Sequence, residues 1–373
     1  MSPTDTSPDF TSIVQHFQFD GGFTTAELIT NGHIHSTYAL FYKDLEKSQP
    51  KYILQEINTT VFRQPELVME NILKITDFLR EAIQKAGGDP MRETLTLVPT
   101  VQGDYCHQTE AGDYWRAMLY IDGAQTYQRM PSTELYFNAS RAFGKFQRLL
   151  AGFPASDLHV TIPDFHHTPK RLQNFIVALD KDSCNRAITV KDEIQFILER
   201  HHEAGVLIDL LQQGKIPLRV THNDTKLDNV LIDDQTGEGI CVIDLDTVMP
   251  GLFLYDFGDT VRAAANTSAE DEPDLSRVNF NREVFELLVR GYLAEMRDLL
   301  TPTELENLAF GGKLILYEQA IRFLTDFLNG DIYYRIHRQN HNLDRTRTQI
   351  KLIRDMEANF EALQRTVEDC SRV

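Results

Sequence analysis

Strand-type patterning fills the first third of this 373-residue chain, and helical spacing fills the rest. Ser36–Tyr42 and Tyr52–Ile57 are dense in β-branched, aromatic and aliphatic residues and flank a polar turn at 43–50. Beyond them Leu67, Met69, Ile72, Ile75, Phe78, Leu79 and Ile83 recur at helical intervals, until Gly87-Gly88-Asp89-Pro90 stops the helix. Two more strand-like runs follow, at 95–101 and 114–121. The remainder predicts helices near 132–152, 168–180, 190–214, 281–298, 303–329 and 345–367. A chain this long exceeds one ordinary core. The expectation is an α+β fold in two lobes: residues 1–121, β-rich with one long helix, and residues 122–373, mostly helical.

The sharpest motif lies in a strand-and-loop island at 217–262. His222-Asn-Asp224-Thr-Lys-Leu-Asp-Asn229 runs into the apolar stretch 230–233, and a Gly-containing turn leads to a second apolar stretch, 240–243, which ends on Asp244. Two short apolar runs around such a turn predict a β-hairpin. Pairing Asp233 with Ile240 and Val230 with Ile243 brings Asn229 and Asp244 to the same open end, with Asp224 a few residues upstream. Phosphoryl transfer needs this kind of set, because the reaction calls for positioning and charge neutralisation more than covalent help. Asn229 and Asp244 offer the oxygen ligands that magnesium prefers. Asp224 can accept or orient the proton of an attacking hydroxyl. His222 is expected to brace the loop. Lys226 either reaches a phosphate or points into solvent.

These strings resemble the catalytic loop and metal segment of the aminoglycoside phosphotransferase and choline kinase superfamily. With Val242-Ile-Asp-Leu-Asp-Thr-Val-Met-Pro-Gly251 and Phe257-Gly-Asp-Thr-Val-Arg262, the chain is similar to the bacterial N-acetylhexosamine 1-kinases over about residues 20–360. The resemblance implies a two-lobed protein-kinase-like fold and ATP- and magnesium-dependent transfer of phosphate to the anomeric hydroxyl of N-acetylglucosamine or N-acetylgalactosamine. It makes Asp224 the base, and Asn229 and Asp244 the metal ligands. Asp256-Phe257-Gly258 spells the metal motif of protein kinases, but it lies past the Met249-Pro250-Gly251 turn. Asp256 is therefore expected to be a cap or loop brace rather than a ligand.

On the nucleotide side, Gly32 sits in a turn that can fold over phosphates through backbone N–H groups. A kinase usually keeps a phosphate-binding lysine on the strand after it. Here that strand offers Gln55 or Glu56, with Lys51 or Arg63 as substitutes. The run 114–123 is expected to be an edge strand whose backbone, at Tyr120 and Asp122, bonds the adenine; Trp115 is expected to anchor the core. On the acceptor side, His35 lies in the phosphate turn. The 303–329 helix carries Tyr317, Glu318, Arg322 and Asp326. The last three share one face, as a solvated ion-pair ladder or as a polar wall for sugar hydroxyls. The resemblance of 321–333 to the hexosamine kinases favours Arg322, with Tyr317, as substrate contacts.

Charge narrows the partners. The net charge of −18 disfavours nucleic acid and anionic lipid. Four scattered cysteines suggest neither a disulfide framework nor a zinc site. The first 20 residues lack the character of a signal peptide and no apolar run is long enough to span a bilayer, so a cytoplasmic protein is expected. Two other readings compete with the sugar kinase. One is a phosphotransferase for another alcohol, such as an aminoglycoside, choline or a different sugar. The other is a catalytically silent binding module, motivated by the missing strand lysine.

Overall fold

The computed structural model describes residues 8–30, 34–43 and 49–372. They form two compact units, Met1–Ala124 with Ile243–Asp246, and Gln125–Val242 with Thr247–Val373. The expected phosphate-turn residue Gly32 lies outside the described residues.

The first unit holds α1 (Phe10–Val14), β1 (Phe23–Ile29), β2 (Ser36–Tyr42), β3 (Tyr52–Ile57), α2 (Pro65–Lys85), α3 (Pro90–Glu93), β4 (Leu97–Val98), β5 (His107–Gln108) and β6 (Tyr114–Leu119). Its sheet is antiparallel in the order β1-β2-β3-β6-β4, with β5 also on β6. Trp115, Leu40, Leu54 and Ala117 pack its core against Ile13, Val14 and Phe17. The helix α2 has the bounds its spacing predicts, with Pro65 in its first turn, where a missing N–H is tolerated. Its apolar stripe of Val68, Ile72, Ile75, Leu79 and Ile83 is buried. Two expectations need correction. The 95–101 run keeps only Leu97–Val98 as strand. The 114–121 run is not an edge: β3 takes one side of β6, and β4 and β5 take the other.

β7 (Ala124–Gln125) spans the point where the chain passes between units. The second unit contains α4 (Thr133–Leu149), α5 (Thr168–Lys181), α6 (Lys191–Glu199), α7 (Val206–Gln212), β8 (Arg219–Thr221), β9 (Val230–Asp233), β10 (Gly239–Val242), β11 (Met249–Gly251), α8 (Phe253–Ala264), α9 (Arg282–Met296), α10 (Pro302–Glu306), α11 (Leu308–Leu328), α12 (His341–Ala358) and α13 (Phe360–Arg372). Helices expected to be continuous are broken: 190–214 into α6 and α7, and 303–329 at Asn307, where α10 with its Thr301/Glu304 capping box gives way to α11. The tail begins earlier than expected, at His341, and breaks at Asn359.

The helix α8 went unanticipated within the 217–262 island. Its residues from Phe253 to Val261 are all buried, polar Asp256, Asp259 and Thr260 included. It crosses α11 closely. A Cβ on Gly258 would lie 2.5 Å from the Gly311 carbonyl oxygen, so the glycine of the Asp-Phe-Gly string serves helix packing. Among the described residues, no helix is long and apolar enough to cross a membrane.

Candidate active site

The catalytic loop runs from β8 to β9 in the second unit and is pinned from several sides. Buried Asp256 accepts the backbone N–H groups of His222 at 2.9 Å and Asn223 at 2.7 Å, and Gln147 Nε2 at 2.7 Å. It is the loop brace expected, and burial pushes its carboxyl above the usual range. His222 is fully buried against Phe143 and Phe146, and its Nδ1 receives the Asp224 N–H at 3.3 Å. Asn223 holds φ +67°, a left-handed conformation few side chains tolerate. It stays there because its amide bonds the Thr247 carbonyl at 2.8 Å and the Thr221 hydroxyl at 3.0 Å.

Asp224 thus projects from a rigid loop. Its Oδ2 lies 3.3 Å from Lys226 Nζ and accepts Asn229 Nδ2 at 3.2 Å. Burial works to raise the Asp224 carboxyl, but the cations around it, Lys226 foremost, hold it below the usual range. Lys226 is therefore the partner of Asp224. Asn229 Nδ2 also bonds the Asp224 carbonyl at 2.8 Å. With its nitrogen anchored, the amide turns its oxygen the other way, the donor a hard cation takes.

The hairpin forms out of the expected register. Val230 pairs with Val242 rather than Ile243, and a bulge between Gly239 and Cys241 widens the offset to two residues at the turn end, where Ile232 pairs with Gly239. The strand β10 therefore ends at Val242, and Ile243–Asp246 packs with the first unit, while Asn229 belongs to the second.

In that segment Asp244 holds φ +60°, and its carboxylate lies within 4.8 Å of ligand atoms of His35 and Asp246. Asp246 and His35 are held by neighbours in the first unit. Arg116 grips Asp246 with both terminal nitrogens, at 2.7 and 2.5 Å. Burial would raise the Asp246 carboxyl, but the guanidinium and His35 hold it far below the usual range. His35 Nδ1 accepts the Asn58 N–H at 3.0 Å, so its proton sits on Nε2, which points at Asp246 from 3.5 Å. His35 is thereby a donor stacked on Phe62 rather than a ligand, and the Asp244 carboxylate offers an oxygen of the kind magnesium takes.

The nucleotide-side candidates are engaged within the first unit. Gln55 Oε1 takes Arg116 Nε at 2.9 Å and Nη2 at 2.7 Å, and its Nε2 donates to Thr37 at 2.9 Å. Its amide serves the Arg116 network in place of the phosphate role expected. Sequence reasoning missed Arg116, which is 2% exposed. Its one signal was a charged residue inside an apolar strand. The Tyr120 N–H donates to the Lys51 carbonyl at 3.1 Å, and the Asp122 carbonyl accepts Arg92 at 2.7 Å.

On α11 the solvated ion-pair ladder, one of the two readings of that face, does not form. Glu318 is buried, with Oε1 2.9 Å from His166 and Oε2 accepting Thr168 at 2.7 Å. Asp326 accepts the backbone N–H groups of Ile332, Tyr333 and Tyr334 at 2.8–3.0 Å, which folds the turn after α11. Tyr317 is no substrate contact: it is fully buried and donates to the Ile197 carbonyl at 2.8 Å. Arg322 does face open space. Its guanidinium packs over Phe165 and Tyr334 and bonds Gln319 at 3.0 Å. It lines a cavity of about 420 Å³ with Arg171, Lys181, Asp326, Asn329, Tyr333 and Tyr334. Arg171 bonds the Phe165 carbonyl at 2.8 Å, and burial together with Arg322 holds its guanidinium below the ordinary value. Neither arginine pairs with a carboxylate among the described residues, since Glu318 is taken by His166 and Thr168.

The fold has solved counterparts. An aminoglycoside phosphotransferase from Alicyclobacillus acidocaldarius superposes with TM-score 0.62 at 12% identity, over 99% of each chain. A microcompartment-associated aminopropanol kinase gives 0.55 at 16%, over 95% of this chain and 98% of that one. A spectinomycin phosphotransferase in complex with ADP and spectinomycin gives 0.52 at 15%, over 97% of each. At these identities the likeness establishes the fold alone: an antiparallel sheet followed by a helical part, as in protein kinases. The sequence match to the phosphotransferase enzyme family covers residues 26–297 and contains the whole catalytic loop and the Asp244 segment. The chain belongs to the APH phosphotransferase enzyme family, whose members move phosphate to hydroxyl groups of small molecules.

Proposed function

We propose that this chain is an ATP- and magnesium-dependent kinase that phosphorylates the anomeric hydroxyl of an N-acetylhexosamine. The observation that carries the acceptor class is the pair of arginines, Arg171 and Arg322, that line one cavity without a direct ion pair among the described residues. Phe165 lies under Arg322, and its neighbour His166 bonds the Asn223 carbonyl next to Asp224. Aminoglycosides, choline and amino alcohols are cations. An ammonium about 5 Å from one guanidinium is repelled by roughly 3 kcal/mol at an effective dielectric of ~20. An acylated sugar is neutral and rich in oxygen acceptors, which guanidinium N–H groups bond well. Tyr333, 71% exposed on the rim, offers a ring for stacking on a sugar face.

In this reading Asp224 Oδ2 stays with Lys226 and Asn229, and Oδ1 takes the acceptor proton. A carboxylate held low is a weak base, which suits a loose transition state in which the proton leaves late. An anomeric hydroxyl, more acidic than an ordinary alcohol, fits it better still. Bound magnesium supplies charge neutralisation at the transferring phosphate, with Asn229 and Asp244 as its protein ligands. The 120–122 stretch and Gly32 are assigned to the adenine and phosphates, and Arg322 to the acceptor side; His35, buried between Asn58 and Asp246, is not assigned to the acceptor.

The test is an acceptor screen with ATP consumption as readout, followed by phosphorus NMR of the product. Turnover with N-acetylglucosamine or N-acetylgalactosamine and an anomeric phosphate signal are expected. Turnover confined to a cationic alcohol would reject the sugar assignment. Magnesium-dependent nucleotide binding without turnover of any acceptor would favour the silent module.

A further inference from the structure

His166 is buried just ahead of α5, and both of its ring nitrogens face hydrogen-bond acceptors. Nδ1 lies 2.9 Å from Glu318 Oε1, and Nε2 lies 3.0 Å from the Asn223 carbonyl oxygen. A neutral imidazole carries one N–H and can satisfy one of them; only the imidazolium donates to both. The surroundings agree. Glu318 on α11 is an ionised carboxylate that also accepts Thr168, with Arg322 one turn further along. From α8, the Tyr255 ring lies 5.3 Å away and Asp259 adds a second, more distant negative charge. Phe165 packs edge-on at 4.7 Å. Burial opposes the charge, yet Glu318 and the Asn223 carbonyl leave the ring easier to protonate than an ordinary histidine.

The carbonyl in question belongs to the peptide that joins Asn223 to Asp224. The Asn223 N–H is held by Asp256 at 2.7 Å, so His166 closes the other end of a left-handed residue with φ +67°. Released, that residue would relax toward ordinary backbone and turn the Asp224 side chain.

We infer that His166 is a positioning residue: as an imidazolium bridging Glu318 and the Asn223 carbonyl, it sets the peptide plane from which Asp224 projects and ties that plane to the helix that carries Arg322. The inference rests on the reading of Asp224 as proton acceptor.

Three measurements test it. Ring nitrogen-15 NMR of the full-length protein at pH 7.5 should show both His166 nitrogens protonated, and a neutral ring overturns the inference whatever the activity. His166→Gln keeps one donor and no charge. It should lower kcat about 10²-fold, the scale of a misplaced reacting group, while the nucleotide Kd stays within twofold. The native kcat should fall on the alkaline side as the imidazolium deprotonates, and this variant should lose that fall. Glu318→Gln should keep the ring but move that fall to lower pH. Native kcat and an unchanged pH profile in both variants overturn the inference, even where either variant melts earlier. Asp224→Asn separates the two readings: if it turns over normally the base assignment fails, while the NMR result for His166 still stands or falls alone.

Discussion

Replacing Arg116 with methionine should destabilise this protein more than most single changes, and the structure says why. All five guanidinium N–H groups have acceptors: Gln55 takes Nε and Nη2, Asp246 takes Nη1 and Nη2, and Met69 Sδ lies 3.9 Å from Nη1. Both charged side chains are almost fully buried, at 3% and 1%. Methionine fills similar volume but leaves the Asp246 carboxylate in the interior without its guanidinium partner. Removing one partner of a buried pair costs about 3–5 kcal/mol. At roughly 2.1 cal/mol/K of unfolding entropy per residue, the 373-residue chain melting as one unit loses about 4–6 °C. A larger drop follows if the first unit melts by itself.

The companion variant adds Asp246→Asn. With no charge left to strand, the double variant should recover more than half of the loss, since the penalty belongs to the orphaned carboxylate rather than to a missing attraction. Differential scanning calorimetry of the native protein, both single variants and the double variant closes the cycle. A single Arg116→Met variant within about 1 °C of native, or a double variant less stable than both singles combined, refutes the argument. Magnesium titration followed by calorimetry adds a separate readout. Arg116→Met should weaken metal binding by loosening the segment that holds Asp244, whether or not turnover is measurable.

Three further outcomes are expected. Asp224→Asn should lower kcat by about 10²–10⁴-fold, the range for a lost general base, with nucleotide affinity near native by titration; unchanged turnover rejects the assignment. Arg171→Glu should reverse the charge of the acceptor cavity, raising KM for an N-acetylhexosamine and admitting an amino alcohol that the native enzyme turns over about 10²-fold less well; steady-state kinetics with both acceptors checks this. Stability should also depend on pH through the His166–Glu318 pair. The folded-state pKa of His166 is raised, so its contribution is complete below about 6.5 and fades as pH climbs through the higher folded value. Glu318 is lowered, so its share is complete above about 4.3 and fades as pH falls through the lower folded value. Melting temperatures between pH 4.5 and 9 should decline on the alkaline side, and less steeply in His166→Gln; identical slopes count against the imidazolium.

How far the sequence could be read depended on distance along the chain. Asp224 and Asn229 are five residues apart and bond each other directly, so a contiguous string announces them. The hairpin was legible from two apolar runs and a glycine turn, though the bulge that shifts its register was not. The helix α8 escaped because Asp256, Asp259 and Thr260 read as loop residues next to the motif, whereas the fold buries them in a helix. Tyr317 misled for the related reason: spacing places it on α11, but α11 is buried on nearly every side, so position on a helix says little about access. Arg116 and Asp246 lie 130 residues apart, and His166 and Glu318 lie 152 apart. No local pattern links either pair.

Those two distant pairs have a common logic. One fastens residues 243–246 inside the first unit; the other fastens the Asn223 carbonyl inside the second. Between them runs the stretch that carries Asp224, Asn229 and Asp244. Apolar contacts fix where a segment lies but resist rotation of a peptide plane or a carboxylate only weakly, whereas a bidentate guanidinium or a doubly bonded imidazolium fixes both. Buried ion pairs are poor sources of net stability, because desolvation cancels most of their attraction. Their presence here, in a protein with ample apolar residues to fill the same volumes, is better explained by orientation than by stability. A phosphotransferase has the greatest need for it, since its catalysis depends on holding oxygens and charges in place around a group that reacts with little covalent help.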